Sequence, residues 1–143
     1  MSDRKLAMDA WESLFRAQHE LFEAMASDFQ GRFISQAEYD VLLSVTRAPE
    51  MTARLRDVTA QMLISQPSVS RLVDRMVSSG LVTKSPDPED GRGTLITATD
   101  AGVRAFREIA TVHGRSIAER MSALTTDELR QLRDLTTKLR GAR

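Results

Sequence analysis

The sequence predicts a mainly α protein: three central helices lead into a two-stranded β ribbon, with one long helix before this core and two after it. Three observations carry that expectation. Apolar residues recur at helical spacing near both ends of the 143-residue chain. Two β-branched runs flank a stretch dense in Pro, Gly and Asp. Between the first long helix and those runs lie three shorter helical patterns, each with its own start or stop signal.

The first helix is read from Trp11, Phe15, Gln18, Phe22, Met25 and Phe29, which step by four and three, with Leu14 and Leu21 widening the stripe. Gly31 ends it. "SQAEYDVLLSVTRAP" then opens with a hydroxyl at Ser35, carries Glu38 three residues later as a capping box requires, and stops at Pro49. A short helix follows through Leu55, Val58, Met62 and Leu63, with Thr52 as its expected cap. In "SQPSVSRLVDRMVSSG", Ser65 is the expected N-cap and Pro67 falls in the first turn, where a missing N–H costs nothing. Val69, Leu72, Val73 and Met76 form one apolar face, and Gly80 is placed as a stop.

The pattern then changes period. Leu81 to Thr83 and Thr94 to Thr99 read as two short strands, joined by a long turn through "SPDPEDGRG". Thr99 can cap the next helix, from about Asp100 to Met121 through Val103, Phe106, Ile109, Ala110, His113 and Ile117. The last helix opens with Thr125 and Glu128 at capping-box spacing and continues through Leu129, Leu132, Leu135 and Leu139. Three helices followed by a two-stranded ribbon is the winged helix-turn-helix arrangement. No linker divides the chain, so residues 1–143 are expected to form a single domain.

Composition narrows the chemistry. No cysteine is present, which excludes disulfides, thiolate metal sites and cysteine redox switches. His19 and His113 are the only histidines, without a ligand cluster around either, so no metal or cofactor is expected. No G-x-S-x-G elbow, P-loop, dinucleotide fingerprint or H-E-x-x-H occurs, and an enzyme is not expected. The N-terminus has scattered charges and no apolar run approaches the roughly 18 residues of a membrane span, so the expected location is cytoplasmic. Twenty basic residues balance twenty acidic ones. The balance is uneven along the chain, because Met51 to Ser85 holds five basic residues against two acidic.

That local excess falls on the segment best shaped for a groove. With its apolar face packed inward, "SQPSVSRLVDRMVSSG" offers Gln66, Ser68, Ser70, Arg71, Asp74, Arg75 and Ser78 on the other side. Gln66 and Arg71 are able to contact adenine and guanine edges bidentately. Serine hydroxyls, Ser65 included, and the free N–H groups of a first turn suit phosphate oxygens. A Ser/Arg-rich solvent face is common on any helix; a short helix before it and a turn-rich hairpin after it favour the groove. In that hairpin Arg92 lies behind Asp90, so the arginine can reach a minor groove while the carboxylate steadies it. Alone, each would read as a solvated turn charge.

The stretch from Leu55 to Gly102 resembles the MarR family of transcription regulators. The family's R-L-(V/L)-D-R-(L/M) recognition-helix motif is matched by Arg71 to Met76, and its G-L-(V/I) step into the wing by Gly80 to Val82. Its acidic-x-Arg wing tip is matched by Asp90 and Arg92, and its entry to the next helix by Thr99 and Gly102. Gly91 stands where the family usually has a basic residue, and Ala98 where it has leucine. The resemblance implies a DNA-binding lobe over about 35–100, with dimerisation helices over about 5–30 and 100–140. It also implies a repressor that works as a homodimer on a pseudo-palindromic site in double-stranded DNA. A small aromatic or phenolic effector would bind a cleft lined by Trp11, Phe15, His19 and Tyr39. As single residues each of these four reads more readily as an ordinary interface or core aromatic. A winged-helix module that binds proteins and not DNA is the alternative reading.

Overall fold

The computed structural model describes residues 2–63 and 68–141. Helix α1 spans Ser2–Met25, and its expected last turn is a 3-10 turn, Ala26–Phe29. The chain reverses at Gly31, whose φ of +70° favours glycine. Helix α2, Gln36–Arg47, starts with the expected capping box: the Glu38 N–H donates to Ser35 Oγ at 3.1 Å and the Ser35 N–H to Glu38 Oε1 at 2.8 Å.

The next segment departs from the sequence reading. Thr52 is not a helix cap but the first residue of a strand, β1, Thr52–Arg54. Glu50 and Met51 both take left-handed φ, +56° and +54°, which turns the chain after Pro49 so that 52–54 can pair elsewhere. For L residues such backbone costs roughly 1–2 kcal/mol apiece. Helix α3 then covers only Leu55–Gln61, leaving Met62 and the exposed Leu63 beyond its end. The buried Asp40 carboxylate of α2 accepts the Leu63 N–H at 2.6 Å.

Helix α4 is Val69–Ser78, strand β2 Val82–Asp87 and strand β3 Asp90–Ala98. The sheet has three strands in the order β1-β3-β2, all antiparallel, where two were expected. β1 pairs Thr52 with Thr97 and Arg54 with Leu95, and the Thr52 and Thr97 hydroxyls meet at 3.0 Å. The expected long turn is also shorter. The strands continue into the Pro/Asp/Gly stretch and leave only Pro88 and Glu89 between them. Pro86 pairs with Thr94 but Asp87 pairs with Asp90, so Gly91, Arg92 and Gly93 bulge out of β3.

Helix α5 runs Asp100–Arg120 and α6 Thr126–Leu139. Thr99 caps α5 as expected, its Oγ1 accepting the Gly102 N–H at 3.0 Å and donating to the Gly80 carbonyl at 2.6 Å. Thr125 and Glu128 form the second capping box. Both Thr125 groups hydrogen-bond the Glu128 carboxylate and hold it below its usual pKa.

The chain divides into two compact units. One is 26–111, and it contains the apolar core of the described residues, built on Val41, Leu42 and Val45 of α2, Val58 of α3, Val69, Leu72, Val73 and Met76 of α4, Leu81, Val82 and Ile96 of the sheet region, Ile109 of α5, and Phe29 and Ile34 before α2. The expected lobe, 35–100, lies inside it. The other unit holds α1 and the chain from Val112 onward. Its apolar residues are largely uncovered: Trp11 is 63% exposed, Phe15 55%, Leu135 65% and Leu139 72%. Among the described residues no helix is long and apolar enough to cross a membrane.

Candidate nucleic-acid interface

Helix α4 is sharply two-sided. Val69, Leu72, Val73 and Met76, at i, i+3, i+4 and i+7, are buried, while Ser70, Arg71, Asp74, Arg75 and Ser78 are exposed. Its N-cap is Ser68, not Ser65: Ser68 Oγ accepts the Arg71 N–H at 3.2 Å. A helix that begins at Val69 has its third N–H within reach of Ser68, so the cap falls three residues later than the sequence reading put it. Ser65 and Gln66 lie outside the described residues. Ser68 keeps its hydroxyl proton free for a second partner, because as a cap it only accepts.

The far end of α4 is fixed just as firmly. The Gly80 N–H donates to Val77 O at 3.1 Å and the Leu81 N–H to Met76 O at 2.9 Å, the two bonds of a Schellman motif, with Gly80 at φ +81°. The expected glycine stop is therefore present. It also feeds the chain directly into β2, so the helix and the wing share a rigid base.

Charge pairing distinguishes this face. Asp74 on α4 is held by Lys84 of β2 at 2.7 Å. In the wing, Arg54 of β1 donates through Nε to Asp87 Oδ2 at 2.7 Å and through Nη2 to Glu89 Oε2 at 2.9 Å. Asp87 Oδ1 accepts the Glu89 N–H at 2.9 Å. The Arg54 hydrogen bond first, and the Glu89 N–H second, hold the buried Asp87 carboxyl below the usual carboxylate range. The same bond raises Arg54 further. Asp90 lies 3.9 Å from Arg56, and its Oδ1 accepts the Arg92 N–H at 3.2 Å. The expected steadying of Arg92 by Asp90 thus acts on its backbone.

The carboxylates of α4 and the wing therefore each have a cation nearby, and the arginines that face outward do not. Arg71, Arg75 and Arg92 are exposed and form no ion pair with any described residue. The Arg54–Asp87–Glu89 clamp and the Lys84–Asp74 tie were invisible in the sequence. Arg54 and Asp87 are 33 positions apart, and nothing local marks them as partners.

The residues expected to line an effector cleft fall in different units. Trp11, Phe15 and His19 form a row on α1, with ring centroids 5.7 Å and 6.4 Å apart, and His19 Nε2 lies 3.3 Å from Glu23. Tyr39 belongs to the other unit, its ring stacked on Phe106 at 5.3 Å and tilted against Phe29 at 5.5 Å. Burial raises its hydroxyl pKa, with nearby Arg47 opposing that rise. It borders a pocket of about 420 Å³ between α2 and α5, whose polar margin includes Arg47 and Arg107. Among the described residues no cluster of His, Asp and Glu is placed to hold a metal ion.

Comparison with known proteins agrees with this geometry. The MarR family profile matches residues 34–93, from the residue before the α2 cap to the wing bulge. Over this segment the chain is similar to MarR-family proteins. MarR-family proteins are DNA-binding transcriptional regulators and not enzymes. The HTH-type transcriptional regulator YkoM of Bacillus subtilis is 28% identical over 127 residues, covering 88% of this chain and 80% of that protein. The HTH-type transcriptional repressor MdtR of the same organism is 27% identical over 143 residues, covering 99% and 86%. Among solved structures, Sco3205 of Streptomyces coelicolor in complex with DNA superposes with a TM-score of 0.81 at 20% identity, covering 94% and 86%. The organohalide-sensing regulator RdhR-CbdbA1625, bound to 2,4-dichlorophenol, gives 0.77 at 20% identity, covering 96% and 80%. These two establish likeness of fold.

Proposed function

We propose that this chain is a sequence-specific repressor of the MarR family that binds a pseudo-palindromic operator as a homodimer, in the cytoplasm where the DNA is. The observation that carries the reading is the charge arrangement above: the carboxylates of α4 and the wing are paired internally while Arg71, Arg75 and Arg92 stay available. The α4 cap Ser68, with Ser70, Arg71 and Arg75 on the helix, then faces the major groove. Arg92 enters the neighbouring minor groove, and Asp90 holds its backbone. A protein-interaction module would have no need to keep three arginines free beside neutralised carboxylates.

The dimer is supported by α1 and α6, whose apolar rows are too exposed for a stable free surface. Two-fold symmetry would place two α4 helices about one helical turn of DNA apart. Repression is the role that the name of MdtR gives that relative, and its alignment covers nearly all of this chain. The pocket beside Tyr39, apolar with Arg47 and Arg107 at its margin, has a size and polarity suited to a small aromatic or phenolic effector.

The test is selection of duplexes by the purified protein from a random pool, followed by sequencing. Enrichment of an inverted repeat with half-sites about one turn apart supports the reading. A protein that passes through a duplex-DNA column unretained at low salt would instead be an interaction module.

A further inference from the structure

The wing of this chain is an acidic device as much as a basic one. Asp87, Glu89 and Asp90 lie within four residues of sequence, next to the single outward cation Arg92. Left to themselves, three carboxylates would repel the phosphates that Arg92 has to approach. Arg54 prevents this from outside the hairpin. Its guanidinium fork bridges Asp87 at 2.7 Å and Glu89 at 2.9 Å, joining β1 to the turn.

The clamp also sets shape. Asp87 is 4% exposed, and its second oxygen takes the Glu89 N–H, so the turn closes over a carboxylate that Arg54 has already neutralised. The bulge that carries Arg92 rests on the same residue. A Cβ placed on Gly93 would lie 3.0 Å from Asp87 Cβ and 3.2 Å from Asp90 O, so only glycine allows the bulge this close. A displacement of Asp87 is therefore passed to residues 91–93. Arg56, at the start of α3, lies beside Asp90 as the counter-charge of the third carboxylate.

We propose that Arg54 is the positioning residue of the wing: it clamps Asp87 and Glu89, withdraws their charge from approaching phosphates and sets the bulge that presents Arg92. This rests on the DNA-binding reading above. A lysine would be a poor substitute, because one ammonium cannot fork across two carboxylates with fixed geometry.

Two measurements test it, the first without DNA. NMR of the full chain should show wing amides at Gly91, Arg92 and Gly93 as ordered as β3 in the wild type and looser in Arg54→Gln. In the same variant Asp87 should titrate at higher pH, with Arg56, Asp57, Glu89 and Asp90 as its remaining charged surroundings. Unchanged amide order together with an unchanged Asp87 titration would overturn the clamp. The second measurement is affinity for a selected duplex. Arg54→Gln should bind about tenfold more weakly, the scale of one or two uncompensated charges near the surface. Adding Asp87→Asn and Glu89→Gln should recover most of that loss, and Arg54→Lys should fall between wild type and Arg54→Gln. Because the triple variant removes the charge on both sides, its melting curve also separates misfolding from repulsion. A folded triple variant as weak as Arg54→Gln would refute the neutralising role. If the wild type ignores every duplex, the regulator reading fails while the NMR measurement still decides the clamp.

Discussion

Replacing Gly102 by alanine should destabilise the fold even though alanine is the better helix former. Gly102 lies in the first turn of α5, and a Cβ there would come 2.1 Å from the Leu81 carbonyl oxygen and 3.0 Å from its carbon. Ordinary contact is more than 1 Å longer, so either Leu81 or the start of α5 must move. Neither is free. Leu81 is buried, its N–H closes the Schellman motif of α4 at 2.9 Å, and its carbonyl accepts the Thr99 N–H at 3.1 Å. Losing or bending two such bonds costs about 1 kcal/mol each, and overpacking adds roughly 1–3 kcal/mol. Against this stands a helix-propensity gain of at most about 1 kcal/mol. The net is a loss of about 2–4 kcal/mol, or roughly 5–15 °C in melting temperature for a domain of this size. Gly114, in the same helix, has nothing within 4 Å of a built Cβ. Gly114→Ala should therefore raise stability by up to about 1 kcal/mol. Both are read by thermal unfolding at one fixed protomer concentration, since the stability of the proposed dimer would depend on it. A Gly102→Ala protein that melts at or above wild type would show that this junction is not tightly packed.

Four further outcomes are expected. Arg71→Ala should relax base preference at one pair in each half-site, by roughly 1–3 kcal/mol, in a selected-pool profile; its control, Ser68→Ala, should cost about 1 kcal/mol of stability with less effect on preference. Arg92→Ala should weaken binding on many duplexes alike and lower the salt slope by about one unit; an unchanged slope would remove the wing from the DNA. Deleting the residues after Thr125 should give monomer or aggregate in sedimentation, and a soluble dimer would refute the terminal interface. Acid should act on the wing through Asp87. Its folded pKa lies below the ordinary aspartate value of 3.8, so the pairing contributes fully above that value and is lost as pH falls through the lower folded value. Asp87→Asn should flatten the stability–pH curve in that window, and an identical curve would place the acid sensitivity elsewhere.

What could be read from the sequence was chemistry confined to one helical turn. The Ser35–Glu38 and Thr125–Glu128 boxes, the Gly80 stop and the Thr99 cap each join residues three or four apart, or sit at an element's end. The face of α4 follows from the same period. What escaped depended on residues far apart. β1 is three residues long, too short for an alternation signal, and exists because Thr52 finds Thr97 across the sheet. The wing turn looked long because Pro, Gly and Asp usually mark loops, yet here the strands continue through them with the surplus expelled as a bulge. For the site, Arg71, Arg75 and Arg92 were legible as exposed cations. Their freedom was not, since it depends on Lys84 and Arg54 occupying the nearby acids. The cap was misassigned because "SQPS" offers two serines with equal local chemistry, and only the start of the helix chooses between them.

A chain of zero net charge is an unpromising ligand for a polyanion, and internal pairing resolves the difficulty. The pairs that mask Asp74, Asp87 and Glu89 are contact pairs at 2.7–2.9 Å, one of them with a buried carboxylate. Salt screens such contacts weakly, because the screening length near physiological ionic strength is about 8 Å. Arginine–phosphate attraction works over longer, solvent-filled distances, and the counterion release that drives it weakens as salt rises. Rising salt should therefore release this protein from DNA well before it opens the Arg54 clamp or frees Asp74. The wing and α4 would leave the duplex already in their binding geometry, so rebinding needs no reordering of the lobe. A comparison of two salt titrations decides it. Wing amide shifts that change at the same salt concentration as DNA release, in protein without DNA, would show that the internal pairs are as weakly held as the external ones.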